Sequence, residues 1–184
     1  MAHRFTTSYV NDSIDIFRMY KKLAERALAQ CPDGDLLTPL DGESNSIAII
    51  VKHMAGNMRS RWRDFLTTDG EKPDRNRDTE FEASPQTRMA IMELWESGWK
   101  YLFDALEALD DAALGQTVRI RTEPHSVMQA INRQMGHYSY HVGQIIFLAK
   151  HFAAKAGNWT AVTIPRKKSG EFNAKVAAGE ASQR

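Results

Sequence analysis

Cysteine is nearly absent: Cys31 is the only one in 184 residues. No intramolecular disulfide can form, and a thiolate zinc ribbon cannot be assembled. Long apolar runs are missing too, and nothing approaches the ~18 residues of a membrane span. The opening Met-Ala-His-Arg-Phe-Thr-Thr lacks the apolar core of a signal peptide. Neither sign of charge prevails, with 24 Lys and Arg against 23 Asp and Glu. That balance gives no electrostatic reason to expect a nucleic acid or a membrane as partner. The expectation is a soluble cytoplasmic protein. What is present is 42% hydrophobic and 26% charged residues, enough for one ordinary globular core.

Apolar spacing of three and four residues predicts four long helices. The first, over about 5–30, carries Val10, Ile14, Phe17, Leu23, Ala24, Ala27 and Leu28 and stops before Pro32 and Gly34. Asn45 or Ser46 can cap the second, whose apolar face is Ile47, Ile50, Val51, Met54, Met58, Trp62 and Phe65. His53 lies on the flank of that face. A charged loop without periodicity, 67–84, follows; at that length it is either functional or mobile. Ser84-Pro85 suits the start of the third helix, which runs to Leu109 with Trp95 on its main apolar strip and Trp99 on a second. A helix apolar on two sides is packed by its own bundle or by a partner subunit. Thr117–Thr122 alternates with period two and reads as a short extended segment ended by Pro124. Ser126 caps the fourth helix, about 126–154. Trp159, Val162, Ile164 and Pro165 read as an extended return onto the core. The fold class is therefore all-α, a four-helix bundle over 1–165 with a polar, frayed tail over 166–184.

The chemistry concentrates in the fourth helix. Ala130, Gln134, His137, His141, Ile145, Leu148 and Phe152 share one face, apolar at both ends and polar in its middle. His137 and His141, at i and i+4, bring their Cβ atoms to roughly 5–6 Å and can share a metal ion. His53, from the second helix, is the third candidate ligand. The plainer alternative makes them core histidines hydrogen-bonded to Gln134, Tyr138 or backbone. His3, His125 and His151 merit only such a reading. Several metal and nucleophile chemistries are excluded. Tyr138 stands where a zincin needs Glu, no Glu-x-x-His occurs for a di-iron site, and no Gly-x-Ser-x-Gly elbow is present. A mononuclear three-histidine site with water remains.

His53 in Asn45–Asn57, Arg61–Leu66, the loop Thr67–Phe81, Ala130–Arg133, the HxxxH of His137 and His141 with Val-Gly-Gln144, Trp159 and Thr163-Ile-Pro165 together resemble the DinB/YfiT-like superfamily of metal-binding four-helix bundles. They are most similar to a bacterial branch of uncharacterised function. The resemblance covers about residues 5–173. It implies that His53, His137 and His141 bind a divalent metal, most often nickel or zinc. It also implies a homodimer and a relation to transferases that use low-molecular-weight thiols.

Two function classes follow. In the first, the site activates a thiol or water for S-transfer or hydrolysis of a small-molecule substrate, with Gln134 and Gln144 orienting the histidines. In the second, the metal serves a non-catalytic dimeric protein with a structural or stress-related role. Arg59, Arg61, Arg63, Arg75 and Arg77 supply anion contacts if the loop folds over the site. Their plainer reading is a solvated surface, salt-bridged to Asp69, Asp74, Asp78 and Glu80. The short basic clusters Arg59–Arg63 and Arg166–Lys168 are weak signals for nucleic acid.

Overall fold

The computed structural model describes residues 5–182; His3 lies outside them. Four long helices carry the core: α1 (Tyr9–Leu28), α2 (Ile47–Trp62), α3 (Arg88–Glu107) and α4 (Val127–Lys155). Both α1 and α2 pack against α3 and α4. All four of these helix starts have a hydroxyl cap of the same kind. Ser8, Ser46 and Ser126 accept from backbone N–H groups three residues on, and Gln129 completes a capping box at α4. At α3 the structure departs from the sequence reading. Thr87, not Ser84, caps the helix by accepting from Ala90 N–H, so Pro85 stays in the preceding loop. No helix among the described residues is long and apolar enough to cross a membrane.

The helix α2 is buried on nearly every side, polar residues included. Its apolar stripe packs on α3 and α4, as its periodicity predicts. Its other face is covered by the 67–84 loop, which the sequence left as functional or mobile. The loop is tied down by side chains of α2. Ser60 Oγ donates to Gly70 O at 2.7 Å and accepts from Lys72 N–H at 3.2 Å, while Lys52 Nζ donates to Thr79 O and Ala83 O. A helix so enclosed must find partners for each polar side chain inside the protein. That requirement shapes everything below.

The extended segment 117–122 is the first arm of a small hairpin, β1 (Thr117–Ile120) antiparallel to β2 (Glu123–Ser126). Pro124 does not end it; Pro124 pairs with Arg119 inside the ladder. The two-residue turn puts Arg121 and Thr122 at φ 54° and 68°, a conformation that residues with a Cβ adopt at a cost. Asp69 of the loop offsets it, its carboxylate accepting from both turn amides at 2.9 and 2.7 Å.

Glycine matters at one helix contact. A Cβ at Gly98 of α3 would lie 2.9 Å from Ala55 Cα, so α2 and α3 touch backbone to backbone there. Trp95 and Trp99 are buried within the chain's own core. The tail contains a further helix, α5 (Ser169–Ala177), where fraying was expected. It buries no residue and is held by pairs of Glu171 with Lys168 and Lys175 along one face.

Candidate metal centre

Antiparallel packing of α2 against α4 aligns two polar ladders. On α2, His53, Asn57 and Arg61 recur every four residues; on α4, Gln134, Tyr138 and His141 face them, with His137 at the edge. His53, Asn57, Arg61, Gln134, Tyr138 and His141 are all buried, and His137 is half-buried.

At one end of this seam, one nitrogen from each of His53, His137 and His141 lies within 4.8 Å of the others. His53 Nε2 and His137 Nε2 are 3.4 Å apart. No fourth His, Cys, Asp or Glu joins the group among the described residues. The three histidines singled out from the sequence are thus brought together, with a donor set compatible with a metal site.

Two of the three rings are held from behind, those of His53 and His141; His137 Nδ1 has no hydrogen-bond partner. Glu80 Oε2 accepts from His53 Nδ1 at 2.8 Å. A carboxylate can only accept, so His53 Nδ1 carries the proton and the Nε2 lone pair points to the other two rings. Glu80 is fixed by Arg75, whose Nε and Nη2 donate to its two oxygens at 2.8 and 3.0 Å. Burial alone would raise the Glu80 pKa, but the bonds from His53 and Arg75 outweigh it and hold the carboxyl below its ordinary range. Gly56 makes this approach feasible: a Cβ there would sit 2.8 Å from Glu80 Cδ. Phe81 lies against the His53 ring at 4.8 Å between centroids, and Arg77 sits over Phe81. The end of the charged loop therefore packs on the site.

On α4, His141 Nδ1 donates to Gln144 Oε1 at 2.8 Å, leaving its Nε2 as a buried lone pair without a hydrogen-bond partner. Burial is the main cause that pushes His141 down to about 4 and His137 down to about 3; neighbouring histidines add to both. Both imidazoles are neutral at physiological pH, the state that ligates metal. The exposed Tyr140 ring borders them at 4.2 Å from His141 and 5.2 Å from His137.

The plain core reading fails on its named partners. Tyr138 Oη donates to Asn57 Oδ1 at 3.0 Å and accepts from Trp62 Nε1 at 3.1 Å, and so is fully engaged elsewhere. Both amide atoms of Gln134 lack a hydrogen-bond partner. Gln144 orients His141 as expected, whereas Gln134 bonds neither histidine. Glu80, taken from sequence as a surface partner of arginine, is the residue the reading missed as a histidine orienter. Its signal was faint: one acid among six in an aperiodic loop.

The arginines divide. Arg59 and Arg63 share Asp74 near the surface, as a salt-bridged face would. Arg61 and Arg75 do not fit the solvated reading, since their side chains are only 3% and 5% exposed. Arg61 donates to Gly70 O and to Glu71 at 3.0 Å, so it knits the loop to α2 from inside.

Mostly helical architecture with a buried three-histidine cluster under a charged loop defines the class. A family model described as "Protein of unknown function (DUF1572)" matches residues 4–168, and the chain belongs to that family. No curated protein and no solved structure matches it.

Proposed function

We propose that the chain is a metal-dependent enzyme of the DinB/YfiT-like superfamily, a four-helix bundle in which His53, His137 and His141 hold one divalent metal. The observation that carries this reading is the convergence of three imidazole nitrogens within 4.8 Å, one of them a buried lone pair with no donor. Leaving such a group unsatisfied costs about 1–3 kcal/mol, and a cation relieves it. Imidazole donors suit nickel or zinc. Three protein donors, with both oxygens of Glu80 engaged by Arg75, match catalytic rather than structural zinc sites, which close with four.

When bound, the metal would lower the pKa of a thiol or water at the remaining position. The protein's own residues do the rest. Glu80 fixes the His53 tautomer and Gln144 that of His141, and Arg75 keeps Glu80 from swinging away. Half-buried His137 and exposed Tyr140 mark the side from which a small-molecule substrate enters. The reaction class supported is S-transfer from a low-molecular-weight thiol, or hydrolysis. Among the described residues, the bundle runs to residue 165 and a polar appendage follows from 166. The protein is cytoplasmic and homodimeric, with Tyr140 and Phe147, two turns apart on α4 and both exposed, on the face available to a second copy. A non-catalytic metal protein is the second reading, favoured by the near-complete burial of His53 and His141.

The test is metal analysis of protein purified without chelators, beside His53→Ala/His137→Ala. One equivalent of nickel or zinc in the native chain, and none in a variant of unchanged helicity, is the expected result. Native protein without metal overturns the proposal. Cobalt(II)-substituted protein then separates the two readings: a change in its visible spectrum with added thiol, or with pH as a bound water ionises, supports the enzyme, and a spectrum inert to both supports the non-catalytic protein.

A further inference from the structure

A cavity lies on the flank of α2 beside the histidine cluster, between α2, α3 and the loop, with a volume of about 320 Å³. Lys52, Arg59, Arg63, Lys72 and Arg75 line it, against only two carboxylates, Asp74 and Glu80. Those two are spent. Asp74 is shared by Arg59 and Arg63, and Glu80 is held by Arg75 and His53. Glu71, nearby, is divided among Arg61, Arg75 and Arg121. Positive charge is therefore in excess around the cavity.

Lys72 makes the excess specific. It is 6% exposed, yet its ammonium donates to a single acceptor, the Asp69 carbonyl, and has no carboxylate at ion-pair distance among the described residues. An ammonium has three donors, and a buried charge with no carboxylate in direct contact is costly. Burial, followed by repulsion from Arg63, lowers the Lys72 pKa, and the more distant attraction of Asp64 and Asp69 does not offset it. The remaining wall includes Ala55 and Leu94, a small apolar surface beside the charges.

We propose that this cavity binds an organic oxyanion, a phosphate or carboxylate carried on a small apolar body. The anionic group sits against Lys72 and the Arg59–Arg63 pair, and the body lies along Ala55 and Leu94. The volume falls in the range of small-ligand sites. Two guanidiniums and an ammonium around one opening suit recognition of such a group. The proposal does not depend on the metal reading, although Glu80 forms a wall common to the cavity and to the His53 support.

Isothermal titration of the full chain with phenyl phosphate, benzoate and inorganic phosphate tests it. Phenyl phosphate or benzoate should bind saturably, more tightly than inorganic phosphate, and more weakly as sodium chloride is raised. Lys72→Met should weaken binding about ten-fold, the loss of one charge-assisted hydrogen bond. Arg59→Gln, at a 47% exposed side chain, should weaken it without threatening the fold, and it decides the matter if Lys72→Met melts. No saturable binding of either organic anion, or binding unchanged in the variants that fold, overturns the proposal. Inorganic phosphate binding as tightly as phenyl phosphate removes the apolar body from it.

Discussion

Tyr138 and His141 sit three residues apart on α4, and both are buried. Their polar atoms meet opposite fates. The Tyr138 hydroxyl gives its proton to Asn57 and takes one from Trp62, among the rings of Phe17 and Trp99. Burial pushes its pKa far above the ordinary phenol value, so it is a neutral hydrogen-bonding post. His141 gives its proton to Gln144 and leaves a lone pair facing two more imidazoles. A polar group that serves the fold closes its hydrogen bonds. One that serves chemistry leaves a valence open, at some expense to stability.

The largest effect should come from the support of that open valence. Glu80→Gln keeps an acceptor for His53 but removes the charge that Arg75 surrounds with two bonds. Breaking a buried pair in this way costs about 3–5 kcal/mol; Glu71, 3.5 Å from Arg75 Nη1, keeps the loss near the lower bound. Chemical denaturation measures it. Loss of an orienting partner should also weaken metal binding on the order of ten- to a hundred-fold, read by competition with a chelator. A variant as stable as the wild type would mean that the loop does not lean on this pair.

Acid should separate the two α4 residues more finely. His137 and His141 have folded pKa values near 3 and 4, below the roughly 6.5 of an unfolded histidine. Between pH 6.5 and 4 the unfolded chain therefore binds more protons than the folded one. Stability of the metal-free protein falls as pH drops through that window, by at most about 2.7 kcal/mol per pH unit for two histidines. His141→Leu should halve the slope and change neutral-pH stability little, because losing the Nδ1 bond to Gln144 is offset by removing the unpartnered, buried Nε2. Tyr138→Phe should leave the slope alone and subtract about 1–3 kcal/mol at every pH, the penalty of stranding Asn57 and Trp62. Equal slopes in wild type and His141→Leu would show that His141 does not stay neutral in the folded state.

Helix periodicity made the four long helices and the His137–His141 pair legible, because both follow from a 3.6-residue repeat. It also placed His53 at a groove. The same repeat could not show that α2 is enclosed on its second side, since the cover is an aperiodic loop held by side-chain-to-backbone bonds from Ser60, Arg61 and Lys52. Such bonds leave no pattern in a sequence. Glu80 and Arg75 were misjudged for that reason: charged residues in a loop are ordinarily solvated, and only enclosure turns them inward. The hairpin was half visible, because the alternation of β1 was clear whereas the turn depends on Asp69, some fifty residues away in the chain. The start of α3 was misplaced by three residues, where two hydroxyl residues competed for one cap.

The smallest effects concern glycine, and they divide along the same line as Tyr138 and His141. Gly143 is a helical glycine of α4 with open space where a Cβ would go. Alanine there should raise stability by about 0.5–1 kcal/mol, the ordinary gain in a helix interior. Gly56 has the same helical setting, yet its Cβ would meet the Glu80 carboxyl. That carboxylate cannot retreat without releasing His53 or Arg75, so Gly56→Ala should forfeit the gain and weaken metal binding as well. Thermal melts of the two variants, with and without added metal, give the comparison. If Gly56→Ala were as stabilising as Gly143→Ala and metal affinity held, the close seat of Glu80 on α2 would have no part in holding His53.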